Sequence, residues 1–371
     1  MKILYVAPEN VTGGFNLFAE GHRKRGNECR WITFFHNQFG FEEDLCLDLW
    51  GMPITDWVHK LRSFLNRIQS APDLPELNGN PPVWRPNSVM EAILYRVRDI
   101  KNNSRIKRAI SKWNLNDFDI YHFEQGIDLF RSGHWIKELQ KRGKGIVAFY
   151  HGTDLRNRGV IPAVHSAAVL NLTSEIDLLD RIPGMKYLYL PIDTETLPKR
   201  QRSMLRQVLT PDATDNGVIR ICHAARNRKL KGSDYIESVV IGLKEKYDIE
   251  WVMIENMDHH QALQIKANCD ICIDQLTDIG GWGYGASSVE SLAMGIPTLT
   301  RINSQVADFL GEHPFVPVTR DSLRNELINL IENPKRRQEI SEYSLQWVKD
   351  RHSIDAVMDT LYSYYSEVGL I

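Results

Sequence analysis

The chain has 371 residues, too long for one typical hydrophobic core and comfortable for two domains. Hydrophobic residues make up 43% and charged residues 25%, and Lys+Arg 45 against Asp+Glu 47 leaves a formal charge of −2. That balance excludes a basic nucleic-acid footprint and a disordered acidic tail. No stretch approaches the roughly 18–20 unbroken apolar residues of a membrane span. The opening segment MKILYVAPEN reads as a first β-strand and not as a signal peptide. Five scattered cysteines argue against a disulfide framework and for a reducing, cytoplasmic setting.

In chain order, short apolar runs alternate with turns and amphipathic stretches. Strands are expected at Lys2–Ala7, Arg30–Phe34, Ile120–Phe123, Ile146–Tyr150, Val169–Leu172 and Tyr187–Leu190. A second series covers Ile219–Ala224, Glu250–Glu255, Ile271–Gln275 and Thr298–Thr300. Continuous apolar runs suit parallel strands buried on both faces, and strands separated by helical stretches build doubly wound sheets. The proline-rich segment Ala71–Pro86 is read as a long surface loop, since proline breaks a helix interior. Pro191, Pro198, Pro211 and the polar run Asp212–Asn216 mark a linker between the two series. The last helix is expected at Asp355–Val368. The expected domains are therefore 1–192, 193–352 and a C-terminal helix within 353–371.

In open α/β sheets, ligands bind at the loops that follow the strands. After the first strand come Gly13 and Gly14, which let a backbone approach a ligand or simply make a tight turn. After the strand ending at Tyr150 comes His151-Gly152-Thr153-Asp154, with an imidazole placed to donate to a sugar hydroxyl or a developing oxygen charge. His122 follows another strand and is weaker as a ligand contact. The second series opens with His223-Ala224-Ala225-Arg226-Asn227-Arg228-Lys229-Leu230-Lys231-Gly232, cations suited to a diphosphate. Arg228 and Lys231, three apart, share one face if the stretch is helical. The strongest signal is Gly280-Gly281-Trp282-Gly283-Tyr284-Gly285-Ala286-Ser287, a glycine-rich loop running into a helix that carries Glu290 and stops at Gly295-Ile296-Pro297. Amides at Ala286 and Ser287 suit a phosphate, and a carboxylate a turn further in suits ribose hydroxyls.

Gly283-Tyr284-Gly285 with Glu290 and Ala293-Met294-Gly295-Ile296-Pro297 resembles the donor-site signature of retaining GT-B glycosyltransferases of glycosyltransferase family 4. The His223–Gly232 stretch resembles the phosphate-binding segment of that family, Tyr150–Asp154 its first-domain histidine, and Gly13-Gly14 its opening loop. The resemblance implies α/β architecture of the GT-B kind: two doubly wound Rossmann-like domains facing a central cleft, with a C-terminal helix crossing back to the first. The first would be the acceptor side and the second the nucleotide-sugar donor side. It implies transfer of a hexosyl or N-acetylhexosaminyl group from a UDP- or GDP-sugar to a hydroxyl acceptor with retention, in glycan or glycoconjugate synthesis. His151, Arg228 and Lys231 would serve catalysis. Gly13, Gly14, Arg228, Lys231, Trp282, Gly283, Tyr284, Gly285, Ala286, Ser287 and Glu290 would hold the donor.

The resemblance implies no cofactor and no metal, with the nucleotide sugar as co-substrate and a saccharide, lipid-linked or protein acceptor as partner. Family members that use lipid-linked acceptors leave contact with the inner membrane face open. Lys141-Arg142-Gly143-Lys144 and Lys199-Arg200-Gln201-Arg202, however, read as solvated faces. One departure stands out: where the family has a first glutamate eight positions before Glu290, this chain has Trp282. A nucleotide-sugar epimerase of the same fold and a non-catalytic nucleotide-sugar-binding relative are the alternatives. Asp117-Phe118-Asp119 precedes a strand and reads as structural. Cys269-Asp270-Ile271-Cys272 lacks a second pair for zinc, and in a strand its two thiols would face opposite ways. No G-x-S-x-G elbow is present.

Overall fold

The computed structural model describes residues 1–10, 13–37, 41–51, 81–86, 88–152, 154–198, 217–279 and 281–371. Val11, Thr12, Thr153, Gly280, the basic cluster 199–202, the linker residues 211–216 and most of the proline-rich segment lie outside the described residues. The described end of that segment pairs through Val83 with Val160.

The chain divides into two compact units, Met1–Leu188 with Met358–Ile371, and Tyr189–Val357. The expected boundaries, 192/193 and 352/353, fall a few residues from these. Unit 1 holds a parallel sheet of β1 (Lys2–Ala7), β2 (Glu28–Thr33), β3 (Leu45–Cys46), β4 (Ile120–Glu124), β5 (Gly145–Tyr150), β6 (Leu170–Thr173) and β7 (Lys186–Tyr187). Its order is β3-β2-β1-β4-β5-β6-β7. Ile3 to Ala7 are all buried, as a strand covered on both faces requires. Helices α1 (Gly14–Lys24), α2 (Val89–Lys112), α3 (His134–Lys141) and α4 (Pro162–Ala167) connect the strands. Ser88 caps α2 by accepting the Glu91 amide at 3.1 Å, the S-x-x-E signature of a helix start, worth about 1 kcal/mol.

Unit 2 holds β8 (Ile219–Ala224), β9 (Ile249–Ile254), β10 (Ile271–Ile273), β11 (Thr298–Thr300) and β12 (Val316–Pro317), all parallel in the order β12-β11-β10-β8-β9. Its helices are α5 (Arg228–Lys231), α6 (Ser233–Leu243), α7 (His259–Ala267), α8 (Ala286–Ala293), α9 (Ser304–Leu310), α10 (Leu323–Glu332) and α11 (Pro334–His352). The last helix, α12 (Ile354–Glu367), runs from unit 2 into unit 1.

Within unit 1, α12 is locked in by aromatic and imidazole contacts. Tyr362 Oη lies 2.9 Å from His22 Nδ1, and the Tyr365 hydroxyl bonds His122 Nε2. His122 also stacks on Tyr5 at 4.4 Å. Burial holds both imidazoles neutral, pushing His22 down to about 3 and His122 well below its ordinary value. His122 is therefore a core residue, with no face left for a ligand.

The short edge strands β3 and β12 carry two residues each, too few to show a pattern in sequence. The C-x-x-C expectation is corrected. The strand starts only at Ile271, so Cys269 precedes it, and Cys269, Cys272 and Cys222 all enter one buried apolar cluster. All five cysteines are free thiols.

Candidate functional site

Each sheet reverses its strand order once, and such a switch opens a crevice at the strand ends. In unit 1 the reversal lies between β1 and β4, and in unit 2 between β8 and β10.

In unit 1, three neighbouring strand ends deliver Glu124 (β4), His151 (after β5) and Ser174 (after β6) to one place. His151 Nε2 lies 2.5 Å from Glu124 Oε2, and Nδ1 lies 3.3 Å from Ser174 Oγ. The His151 amide donates to Asp154 at 2.9 Å, which fixes the backbone beneath the ring. Burial disfavours the imidazolium, but the Glu124 carboxylate more than offsets it, and the His151 pKa is raised. Burial also raises Glu124, against the pull of His151. The two form a proton-sharing pair. The chain then makes one π-helical turn at Asp154–Arg158, an irregularity frequent at functional sites. Arg156 in that turn is bound by Glu175 at 2.7 Å and Asp177 at 2.5 Å. Gly13 takes a left-handed φ of 69°, and a Cβ there would come within 2.8 Å of the Phe41 ring, so the opening turn needs glycine.

In unit 2, Asn227 caps α5, its Oδ1 accepting the Lys229 and Leu230 amides at 3.1 and 3.2 Å. Gly232, left-handed, ends the turn and starts α6. Arg228 and Lys231 are on this one turn, yet their charges go to different places. The Arg228 guanidinium meets Asp234 at 2.8 Å, Glu237 at 2.6 Å and Glu255 at 3.4 Å. Lys231 Nζ reaches Asp274, just beyond β10. Asp274 also accepts the Ser288 hydroxyl at 2.6 Å and the Gly285 amide at 3.4 Å. Burial would raise its pKa, but Lys231 and the Ser288 hydroxyl lower it. The structure thus brings Lys231, and not Arg228, to the start of α8. His223 is tied to Ile273 O and Ser233 Oγ, both at 2.7 Å, and is structural.

The glycine loop is pinned from two strand ends. Gln275 Nε2 donates to Gly281 O at 3.2 Å and Gly283 O at 3.1 Å, and Thr300 Oγ1 donates to Gly283 O at 3.0 Å. Gly283 has φ 83°, and a Cβ would meet Val306 at 3.0 Å. Tyr284 turns its ring onto Phe315, 4.6 Å between centroids, and beside Trp347 and His352. Trp282 is half-buried, and Gly285 and Ala286 are exposed. Gly285 supplies no side-chain cap to α8, and the Ala286 and Ser287 amides belong to its first turn.

Glu290 is held from two sides. Lys266 Nζ, itself buried, lies 2.6 Å from Oε2, and His259 Nε2 lies 2.7 Å from Oε1. Lys266 also donates to Ser287 O at 3.1 Å and Ser287 Oγ at 3.0 Å. Burial opposes ionisation, yet Lys266 and His259 bring the Glu290 pKa down to about 2. Two of its roughly four lone-pair sites are used, which leaves two for outside donors.

Glu124, Asp274, Lys266 and His259 were missed in sequence. Glu124 and Asp274 stand at strand ends, so the rule that found His151 could have found them. Lys266 and His259 lie within a helix and carry no local signal.

No family model matches the chain, and no curated protein matches it. Solved structures do match along nearly its whole length, and the likeness shows a shared fold: two Rossmann-like parallel-sheet domains of the GT-B kind. Sucrose-phosphate synthase from Thermosynechococcus elongatus superposes with TM-score 0.58 at 12% identity, covering 100% of this chain and 99% of that one. HepE from Anabaena, in complex with UDP and glucose, gives 0.55 at 14%, covering 99% and 100%. UDP-GlcNAc 2-epimerase from Neisseria meningitidis, bound to UDP-GlcNAc, gives 0.54 at 11%, covering 99% and 100%. Among the described residues, no helix is long and apolar enough to cross a membrane.

Proposed function

We propose that the chain is a glycosyltransferase that moves a sugar from a nucleoside-diphosphate sugar to a hydroxyl acceptor with retention of configuration. The observation that carries this reading is Glu290. It is a carboxylate kept ionised within the first turns of a helix that follows a glycine loop at a strand-order reversal. An anchored anion with two free lone pairs suits the two hydroxyls of a ribose. Beside it, the first amides of α8 and Lys231 suit the diphosphate. In unit 1, His151 donates from Nδ1, its longer contact, to an oxygen that gains charge, while Glu124 holds the other nitrogen. No general base is assigned, and the leaving phosphate can take the acceptor proton.

The second reading is an epimerase, favoured by the Neisseria likeness. Trp282 removes one carboxylate that epimer chemistry at the sugar would use. Calorimetry with nucleosides, nucleoside diphosphates and their sugars tests the donor site, with submillimolar diphosphate binding expected. Incubation of the bound nucleotide sugar without acceptor then separates the readings. An epimer identifies an epimerase, and an intact donor that is consumed only when acceptor is added identifies a transferase. No binding across the panel removes both.

A further inference from the structure

Outside both strand-end sites, His36, Glu43 and Cys46 present an imidazole nitrogen, a carboxylate oxygen and a sulfur that all lie within 4.8 Å of one another. Among the described residues, no other three such side chains gather this way. The frame beneath them is set by strand pairing. Thr33 at the end of β2 pairs with Cys46 on β3, so the sulfur stands beside the exit of β2, three residues before His36. The returning segment is folded back by Asn37, whose Nδ2 donates to Phe41 O at 2.8 Å and whose Oδ1 accepts the Phe41 amide at 3.0 Å. Glu43 Oε1 accepts the Asn37 amide at 2.8 Å, and Glu43 Oε2 is bonded to His36 Nδ1.

The charge around the group favours a cation. Phe41-Glu42-Glu43-Asp44-Leu45-Cys46-Leu47-Asp48 carries four carboxylates. Arg30 takes Asp44 at 2.6 Å and Arg105 takes Asp48 at 3.3 Å. Glu43 has only the exposed His36 as an ion-pair partner among the described residues.

We propose that His36, Glu43 and Cys46 bind one divalent ion of the zinc class, with water as fourth ligand. The donor set decides the metal. A thiolate and an imidazole suit zinc, whereas calcium and magnesium take oxygen donors. Metal–ligand distances of about 2.0–2.3 Å put tetrahedral ligand atoms roughly 3.3–3.8 Å apart, so the widest separation closes by no more than about 1–1.5 Å while the hydrogen-bonded His36–Glu43 pair opens to admit the ion. On binding, the Cys46 thiol gives its proton to solvent, the Nδ1 proton of His36 passes through solvent to Nε2, and the freed Nδ1 and the Glu43 oxygen exchange their hydrogen bond for two metal–ligand bonds. The ion would fasten a segment that already overlies the β1–α1 turn. Asn10 Nδ2 donates to Glu42 O at 3.0 Å, Asn16 Nδ2 donates to Glu42 Oε2 at 2.6 Å, and the Phe41 ring covers Gly13. This site is separate from the donor-site reading and does not depend on it.

The test is titration of the chelator-treated, full-length protein with Co²⁺ and then Zn²⁺. One equivalent of Co²⁺ should give a thiolate-to-cobalt charge-transfer band that Zn²⁺ abolishes. Cys46→Ser should remove the band, and His36→Ala should weaken zinc binding at least about tenfold. Should either variant fail to fold, alkylation of the parent protein decides. The other four cysteines are buried, so iodoacetamide reads Cys46, and one equivalent of Zn²⁺ should slow its labelling at least about tenfold. An undiminished band in Cys46→Ser, unchanged zinc affinity in His36→Ala, or labelling that zinc does not slow would each overturn the proposal.

Discussion

The two units each hold a carboxylate at a strand-end crevice, and burial acts on both in the same direction. The outcomes are opposite. In unit 1, Glu124 faces an imidazole, and its pKa is raised. In unit 2, Glu290 faces an ammonium as well as an imidazole, and its pKa falls to about 2. The partner makes the difference: Lys266 is an ammonium whose pKa is raised, the Glu290 carboxylate more than offsetting burial, whereas His151 is an imidazole, the side chain whose charge is most readily switched. The first pair can move a proton, and the second is a fixed anion. One fold repeated twice therefore provides one titrating site and one permanent charge, consistent with chemistry in one unit and nucleotide binding in the other.

The sharpest way to break that contrast is to remove the proton-sharing pair. His151→Ala should lower the transfer rate by about 10²–10⁴-fold and leave nucleoside-diphosphate affinity unchanged. Glu124→Gln tests the cause. The His151 pKa is raised in the folded protein, so the pair contributes stability below the ordinary imidazole value and loses it as pH rises through the raised value. Without that carboxylate only Asp154 and Glu175 still oppose burial, and the falling alkaline limb of the rate profile should move to lower pH. A pH–rate profile identical to that of the parent would remove Glu124 from this role.

The next largest effect belongs to Lys266. Lys266→Met leaves Glu290 buried with only His259 for support, and should cost about 3–5 kcal/mol in urea unfolding. Lys266→Met with Glu290→Leu should regain most of that stability, since apolar packing commonly replaces a buried ion pair at little cost. The double variant should still fail to bind nucleotide. If the single variant is as stable as the parent, water reaches the pair and Glu290 is not held as described.

The fold was largely legible because the central strands are short, mostly apolar runs set apart by helical stretches. β1, β8 and β11 coincide with the expected spans, while β10 stops two residues early, at Ile273, where Asp274 turns toward Lys231. The two-residue edge strands β3 and β12 could not be seen, and the strand expected at Tyr187–Leu190 pairs only as β7, Lys186–Tyr187. Within the site, legibility followed sequence distance. The glycine loop, the start of α8 and Glu290 lie within a dozen residues, so one motif carries them. Glu124 with His151, and Lys266 with Glu290, are joined only by strand order and helix packing, which no local pattern encodes. The spacing of Arg228 and Lys231 allows one shared face if the stretch is helical; it is one helical turn, but the carboxylates at Asp234, Glu237 and Glu255, which claim Arg228, come from other elements.

The fixed-anion reading of unit 2 can be sharpened by splitting the ligand. Glu290→Gln removes the charge and keeps the shape, and should weaken nucleoside and nucleoside diphosphate alike by about 10–100-fold, or roughly 1.5–3 kcal/mol, since both contain the ribose. Lys231→Ala should weaken only the diphosphate. Calorimetry on both ligands checks this, with unfolding curves alongside because Glu290→Gln leaves Lys266 buried beside a neutral amide. If Glu290→Gln affects the diphosphate but not the nucleoside, the carboxylate does not serve the ribose.

The smallest expected effect concerns Trp282, the residue that replaces the acid in the resembling family. An indole has one N–H donor and an apolar face, so it cannot accept protons from sugar hydroxyls as a carboxylate does. It can pack against the C–H face of a pyranose. Its loop is already pinned at Gly281 and Gly283 by Gln275 and Thr300, so the ring is not needed to hold the backbone. Trp282→Ala should therefore leave the loop and nucleoside-diphosphate affinity intact while slowing transfer by about 3–10-fold, the size of an aromatic contact worth roughly 0.5–1.5 kcal/mol. Trp282→Glu restores an acid at this position and should change which donor sugar is accepted more than how tightly the diphosphate binds. Transfer rates with several donor sugars, measured on the same preparations as diphosphate affinity, separate the two effects. If Trp282→Ala loses diphosphate affinity in step with transfer, the indole supports the phosphate loop and not the sugar, and the division between a nucleotide half and a sugar half within unit 2 fails.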